Sequence, residues 1–174
     1  MATITQFDLD DLTEINANFK FTDRSGVNHS AVCEEGTSNT GDFVRNRDGL
    51  GSSSTGATGN PPGLTHYLMT EASSNVAADN WNCRRNAINT LGQNLTLDLL
   101  ICRGFNTVSD IHIEYATVTS PELTNPLHAD WTTLQTIAGL GGEQGWDAFQ
   151  FDFSGIHSAT LWIRVRCDFN NDFH

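Results

Sequence analysis

The final residues of the chain carry oxygen-bearing side chains at alternate positions. In "DFNND", Asp168, Asn170 and Asp172 have the spacing by which a tight loop directs three oxygen ligands at one hard cation. An EF-hand loop is excluded because Phe173 stands where that loop needs glycine. The pattern therefore indicates either a calcium site or a turn in which Asp and Asn cap nearby backbone groups.

A second acidic cluster lies near the N-terminus. The stretch "FDLDD" contains Asp8, Asp10 and Asp11. Carboxylates this close together suit calcium, and they also suit a solvated turn. The residues alone leave both interpretations open.

One aromatic residue and two basic residues alternate near the C-terminus. Trp162, Arg164 and Arg166 fall on the face of "LWIRVRC" opposite its apolar residues. An aromatic ring beside arginines on an open sheet face is suited to binding a sugar ring or a partner protein. The alternative is an outer face that is covered or solvated.

Catalytic motifs fail when they are checked residue by residue. "GLGGEQG" has Gln144 where a dinucleotide-binding fingerprint needs its third glycine, and "GSSST" closes with Thr55 rather than the glycine of a nucleophile elbow. The chain has a single lysine, Lys20, and no phosphate-binding loop contains it. We therefore expect no enzymatic activity and no catalytic residues.

Charge limits the partners of the protein. The 174 residues include 21 acidic and 9 basic side chains, for a formal net charge of −12. Such a chain repels phosphate backbones and anionic lipid headgroups, so we expect no nucleic-acid partner. It has no run of 18 apolar residues, which argues against membrane insertion, and "MATITQFDLDDL" lacks the features of a secretory signal. We expect synthesis and assembly in a cytoplasm.

The elements that must position these residues are strands. Only 17% of the residues are charged, whereas Thr (20) and Asn (16) are abundant, which favours strands and turns over surface helices. Apolar residues alternate with period two in four segments, "NLTLDLLICRGF", "DIHIEYA", "FQFDF" and "LWIRVRC". Weaker strand signals lie at Phe19–Phe21, Phe43–Arg45, Tyr67–Thr70 and Trp131–Ile137. Helix signals are weak, with at most a turn at residues 9–15 or 73–80.

The connections between these segments are turn-rich. The Gly- and Ser-rich stretch Asp48–Gly63 suits a surface loop rather than a domain linker, and "AGLGGEQGW" suits a corner between sheets. Many short strands with such turns predict one all-β domain over residues 1–174. We expect a two-sheet antiparallel jelly-roll β-sandwich.

The four cysteines show no metal-binding spacing. Cys102 and Cys167 lie on two of the predicted strands and could face each other. We favour buried thiols over a disulfide, because nothing in the sequence indicates an oxidising compartment.

The order of motifs resembles that of MAM-type domains. The stretch "DFVRNRDGLGSSSTGATGNPPGLTHYLMTEAS" is similar to the middle of such domains, and "FDLDDL" and the later strands resemble their start and end. About nine-tenths of the chain is covered. The matching residues in the middle segment are Phe43, Arg45, Thr58, Gly59, Tyr67, Leu68 and Glu71.

The resemblance implies a fold and a role. It implies a galactose-binding or MAM-like sandwich that can hold calcium and that serves adhesion or assembly rather than catalysis. In that family the opening acids and an acidic loop help to hold the cation, which carries over to Asp8 and Asp11. Asn60 stands where the loop acid usually lies, and the family's paired cysteines do not match this chain.

The end of the chain departs from the family pattern. MAM-type domains usually follow this turn with one more strand that closes the sheet, whereas this chain ends at His174. We expect either a shortened chain or a sheet edge that another subunit completes.

Two functions follow as expectations. The first is a virion structural protein, such as a bacteriophage decoration, fibre or appendage subunit, which assembles with copies of itself or with other structural subunits. The second is a calcium-assisted adhesion module, extracellular or at a cell surface, that binds a carbohydrate such as a cell-surface glycan, or a protein.

Overall fold

The structure is a computed structural model. It describes residues 79–102, 110–123, 127–139 and 145–169, together with shorter pieces at 13, 17–22, 28–29, 44–46, 61–63, 65 and 67–69. The described chain forms ten strands in the order β1 (Phe19–Thr22), β2 (Asn28–His29), β3 (Val44–Asn46), β4 (Tyr67–Met69), β5 (Asp79–Ile88), β6 (Thr96–Cys102), β7 (Ile111–Ala116), β8 (Thr132–Ile137), β9 (Trp146–Asp152) and β10 (Leu161–Phe169).

All pairing among these strands is antiparallel. The largest sheet has six strands in the order β2-β1-β5-β10-β7-β8. Two further ladders pair β3 with β4 and β6 with β9. The all-β, antiparallel class that the sequence predicts is confirmed.

One apolar cluster contains residues from both the six-stranded sheet and the β6–β9 ladder. Its buried residues come from β7, β8, β9 and β10 and from the turn after β9, and they are Ile113, Ile137, Phe151, Phe153, Leu161 and Ile163. Leu95, Leu97, Leu99 and Ile101 pack against them from the β6 side. The period-two predictions are therefore confirmed in all four strong segments. Burying each large side chain contributes roughly 1.5 to 3 kcal/mol.

The weaker strand predictions are also confirmed, within about a residue, by β1, β3, β4 and β8. The ten-residue strand β5 was not predicted, and its first two residues fall where at most a turn was expected. Its sequence, "DNWNCRRNAI", is mostly polar, and its apolar alternation is limited to Trp81 and Cys83. It is a strand because β1 and β10 bond to it on both sides, which no local pattern reveals.

The last described strand lies inside the sheet. β10 pairs with β5 on one side and with β7 on the other. Among the described strands, the edges of this sheet are β2 and β8. An edge left for another subunit therefore does not run along β10.

Two smaller findings complete the fold. Cys102 and Cys167 are thiols and lie on different ladders, β6 and β10. Within the ranges given above, no helix is both long and apolar enough to cross a membrane.

Candidate functional site

The structure describes part of the predicted site. Asp8, Asp11, Asn60, Asn170 and Asp172 lie outside the described residues. Asp168 lies in β10, where its backbone is paired with Asn80 of β5. The side chains of Trp162, Arg164 and Arg166 are described, and the two arginines belong to a buried polar cluster.

A buried carboxylate lies between the two arginines. Register places Arg164 directly opposite Glu114 of β7, on the sheet face away from the apolar cluster. Arg164 Nε donates to Glu114 Oε2 over 2.6 Å, and Arg166 donates through Nε (3.1 Å) and Nη2 (3.0 Å) to Oε1. Only 2–4% of each of these residues is exposed. Both carboxylate oxygens therefore accept charged hydrogen bonds away from water.

The hydroxyl of Thr133 extends the cluster to the edge of the sheet. Thr133 Oγ1 donates to Glu114 Oε1 over 3.2 Å from strand β8. Three neighbouring strands, β10, β7 and β8, are thus joined through one carboxylate. Charge-assisted hydrogen bonds of this kind are about twice as strong as neutral ones.

Burial lowers the pKa of Arg164. Removal from water lowers its pKa to about 10, while the nearby carboxylates of Glu114 and Glu122 act in the opposite direction. At neutral pH the guanidinium is therefore still charged, and the contact with Glu114 is an ion pair. Two buried cations share this one buried anion.

The connection between β7 and β8 covers the cluster. Trp131 is 9% exposed, and the centroid of its ring lies 4.1 Å from Arg164 Cζ, in a cation–π contact. Trp131 Nε1 donates to the carbonyl of Glu122 over 2.8 Å. The backbone N–H of Glu122 donates to Asp130 Oδ2 over 2.9 Å, which holds the two ends of the loop together.

Trp162 contacts the same β7–β8 connection. Its ring is partly exposed, and Nε1 donates to the carbonyl of Val118 over 3.2 Å. The outer face of β10 is therefore covered at Arg164 and Arg166 and partly open at Trp162. Ligand binding by these three residues stays a prediction. What the contacts establish is an ion-pair network that fixes the register of β7 and β10.

Glu114, Thr133 and Trp131 were not predicted as functional residues. The sequence placed Glu114 on the polar face of its strand, but its contact with Arg164 depends on a pairing between segments 50 residues apart. Trp131 was assigned to a weak strand and lies just before β8. The available signal was one acidic residue on the outer face of one strand and two alternate arginines on another.

A second polar cluster joins the β5–β6 connection to the β9–β10 connection. Thr90 is fully buried, and its hydroxyl donates to the carbonyl of Ile156 over 3.0 Å and accepts from the backbone N–H of Ser158 over 3.0 Å. The backbone N–H of Thr90 donates to the carbonyl of Ser158 over 2.8 Å. These bonds tie the β5–β6 connection to the β9–β10 connection.

The cation prediction can be compared only with the described residues. Among them, no three His, Cys, Asp or Glu side chains are grouped so that they could hold a metal ion. Asp168 is paired with Asn80 near the end of β10, and Asn170 and Asp172 follow in the sequence. Asp and Asn are both residue types that supply oxygen ligands to calcium.

Comparisons of the chain with models of known protein families, with curated proteins and with solved structures found no match. The resemblance to MAM-type domains therefore stays an expectation drawn from the order of motifs.

Proposed function

We propose that this chain is a non-enzymatic structural protein that assembles with copies of itself or with other structural subunits. The form of this function that we favour is a virion subunit of a bacteriophage: a decoration, fibre or appendage protein. The observation that carries the proposal is that β8, an edge among the described strands, is free of charged residues although the chain has a net charge of −12.

A sheet edge of this kind suits assembly. It offers a row of backbone donors and acceptors that a strand from another chain can complete. Natural monomers usually protect such edges with charges, proline or β-bulges. The residues of β8, "TTLQTI", include no charge and no proline, and the bulge at Leu134 leaves Gln135 to Ile137 in regular pairing.

The fold that supports this role is inferred to be a jelly roll. From β5 to β10 the chain passes between the six-stranded sheet and the β6–β9 ladder at four connections, and both layers contribute to one apolar cluster. Crossing repeatedly between two antiparallel layers is typical of jelly-roll sandwiches. Rigid sandwiches of this type serve as building blocks in capsids and as binding modules.

The proposal is tested by the state of the purified protein. We expect light scattering after size-exclusion chromatography to give a mass that is a multiple of 19.1 kDa and that rises with concentration in the micromolar range. Electron microscopy of the same sample shows whether assemblies are closed or extended. A monodisperse monomer throughout this range would contradict the proposal.

A second candidate is the calcium-assisted adhesion module. The observation in its favour is the pairing of Asp168, the first residue of "DFNND", with Asn80. Calcium that binds the folded state would raise the melting temperature, and the rise would grow with the logarithm of the calcium concentration above the Kd. The expected rise is lost in Asp172→Ala and kept in Asp98→Ala, which removes an exposed carboxylate elsewhere. A glycan array with and without chelator then tests for the ligand, and binding in neither condition removes this candidate.

A further inference from the structure

Strand β8 is the long edge of the six-stranded sheet within the described part of the chain. It pairs with β7 on one side, and no other described strand lies on its outer side. Four of its six residues, Thr132, Thr133, Gln135 and Thr136, are exposed. Among the described residues, no strand covers the outer edge of β8.

Two polar side chains of β8 bond to its neighbour β7. Thr133 Oγ1 donates to Glu114, and Thr136 Oγ1 lies 3.0 Å from His112 Nδ1. The polar groups left at the outer margin of β8 are its outward backbone groups and the exposed side chains of Thr132 and Gln135.

Electrostatics favours contact between copies at this strand. Two chains with a net charge of −12 repel each other over most of their surfaces. Residues 131–142, "WTTLQTIAGLGG", contain no charged side chain and no proline. Two copies therefore approach at this segment with less electrostatic cost than at the acidic stretches of the chain.

The regular part of the strand sets the register. A bulge at Leu134 places one extra residue between Thr133 and Gln135, and from Gln135 to Ile137 the pairing with β7 is regular. A bulge bends an edge strand and shortens the segment that can pair outward. Pairing with another strand is therefore centred near Gln135 and Thr136.

From these observations we infer that β8 is the contact between two copies of this chain, which pair antiparallel across a twofold axis and extend the sheet from six strands to twelve. Antiparallel pairing about a twofold axis is self-complementary, so one strand supplies both halves of the interface. The inference rests on the proposed function and names the surface through which assembly occurs.

The twofold axis makes one residue diagnostic. In registers centred on residues 134 to 136, Gln135 lies directly opposite its own copy or diagonal to it, with Cβ atoms about 5 to 8 Å apart. A charge at this position therefore meets the same charge from the partner. Gln135 is exposed, so its substitution should not disturb the apolar cluster.

The experiment measures the monomer–dimer equilibrium of Gln135→Lys, Gln135→Glu and their equimolar mixture by analytical ultracentrifugation. We expect the Kd of each single variant to rise roughly tenfold, because like charges then face each other across the interface. The mixture should return to within about a factor of two of wild type, because opposite charges then meet. Gln93→Lys and Gln93→Glu, at an exposed loop position, are the matched controls.

The outcomes distinguish failure of the β8 contact from failure of the proposed assembly function. If wild type associates and both Gln135 variants associate equally well, the β8 contact is wrong and the proposed assembly function stands. If wild type is monomeric at every concentration, both are overturned. Loss of association in the single variants without recovery in the mixture contradicts the twofold pairing.

Discussion

Arg164 and Glu114 face each other across β10 and β7, and Arg164 Nε donates to Glu114 Oε2 over 2.6 Å with both side chains almost completely buried. Arg166 shares the same carboxylate. On the face of the sheet opposite the apolar cluster, both arginines thus bind one carboxylate. Removing the charge of Glu114 should therefore lower the stability of the fold.

Removing the charge of Glu114 should destabilise the fold strongly. In Glu114→Gln two buried guanidinium groups lose their only buried carboxylate partner among the described contacts, and breaking such a pair costs about 3 to 5 kcal/mol. Urea denaturation followed by circular dichroism measures this loss. Asp98→Asn, at an exposed carboxylate on β6, should change the unfolding free energy by less than about 0.5 kcal/mol. Equal effects of the two variants would contradict the role assigned to Glu114.

Replacing the whole network should be milder than breaking it. In the triple variant Glu114→Leu, Arg164→Met, Arg166→Leu, no buried charge is left without a partner. Apolar groups of similar volume often match or exceed a buried ion-pair network in stability. We therefore expect the triple variant to unfold at a higher urea concentration than Glu114→Gln. The reverse order would show that the cluster stabilises the fold through more than charge compensation.

Trp131 should contribute through its ring and its indole N–H separately. Trp131→Phe keeps an aromatic face over Arg164 but loses the hydrogen bond to the Glu122 carbonyl, which costs about 0.5 to 1.5 kcal/mol. Trp131→Leu also loses the cation–π contact and should be less stable than Trp131→Phe by about 1 kcal/mol or more. Thermal unfolding ranks the two variants. Equal melting temperatures would contradict the cation–π contribution.

The hydroxyl of Thr90 should contribute more to the stability of the fold than the volume of its side chain does. Thr90→Val keeps the shape but leaves the Ser158 backbone N–H without its acceptor, at a cost of about 1 to 3 kcal/mol. Thr90→Ser keeps the hydroxyl and should lose less stability. Thr117→Val, at an exposed position, controls for the substitution itself. The denaturation midpoints of the three variants check this order.

Asp152 should titrate at an unusually low pH. Hydrogen bonds from the Ser154 hydroxyl and backbone N–H lower the pKa of this carboxyl below its ordinary value of 3.8. Because the folded pKa is the lower one, the stabilisation is present above pH 3.8 and is lost as the pH falls through the folded value. In Ser154→Ala the pKa should move upward, whereas Ser154→Thr should leave it low. Carboxyl ¹³C NMR titration measures these values, and an unchanged pKa in Ser154→Ala would contradict the assignment.

The fold was largely predictable from sequence where burial imposes alternation. Strands β6, β7, β9 and β10 each direct apolar residues at a shared cluster, so period two was visible in each of them. Strand β5 was not predictable, because "DNWNCRRNAI" is polar and its conformation depends on partners far away in the chain. The sequence predicted only part of the cluster around Glu114. Alternation placed Arg164 and Arg166 on one face, but only the pairing of β7 with β10 brings Glu114 to them.

Amide hydrogen exchange along β8 is the most direct test of assembly through this edge. Outward-facing amides among Thr132–Ile137 should exchange rapidly at low protein concentration and become protected when the concentration is raised. The amides of β10, which is bonded on both sides, should be protected at both concentrations. If exchange in β8 is identical at concentrations where the mass has at least doubled, the copies meet elsewhere and the edge has no part in assembly.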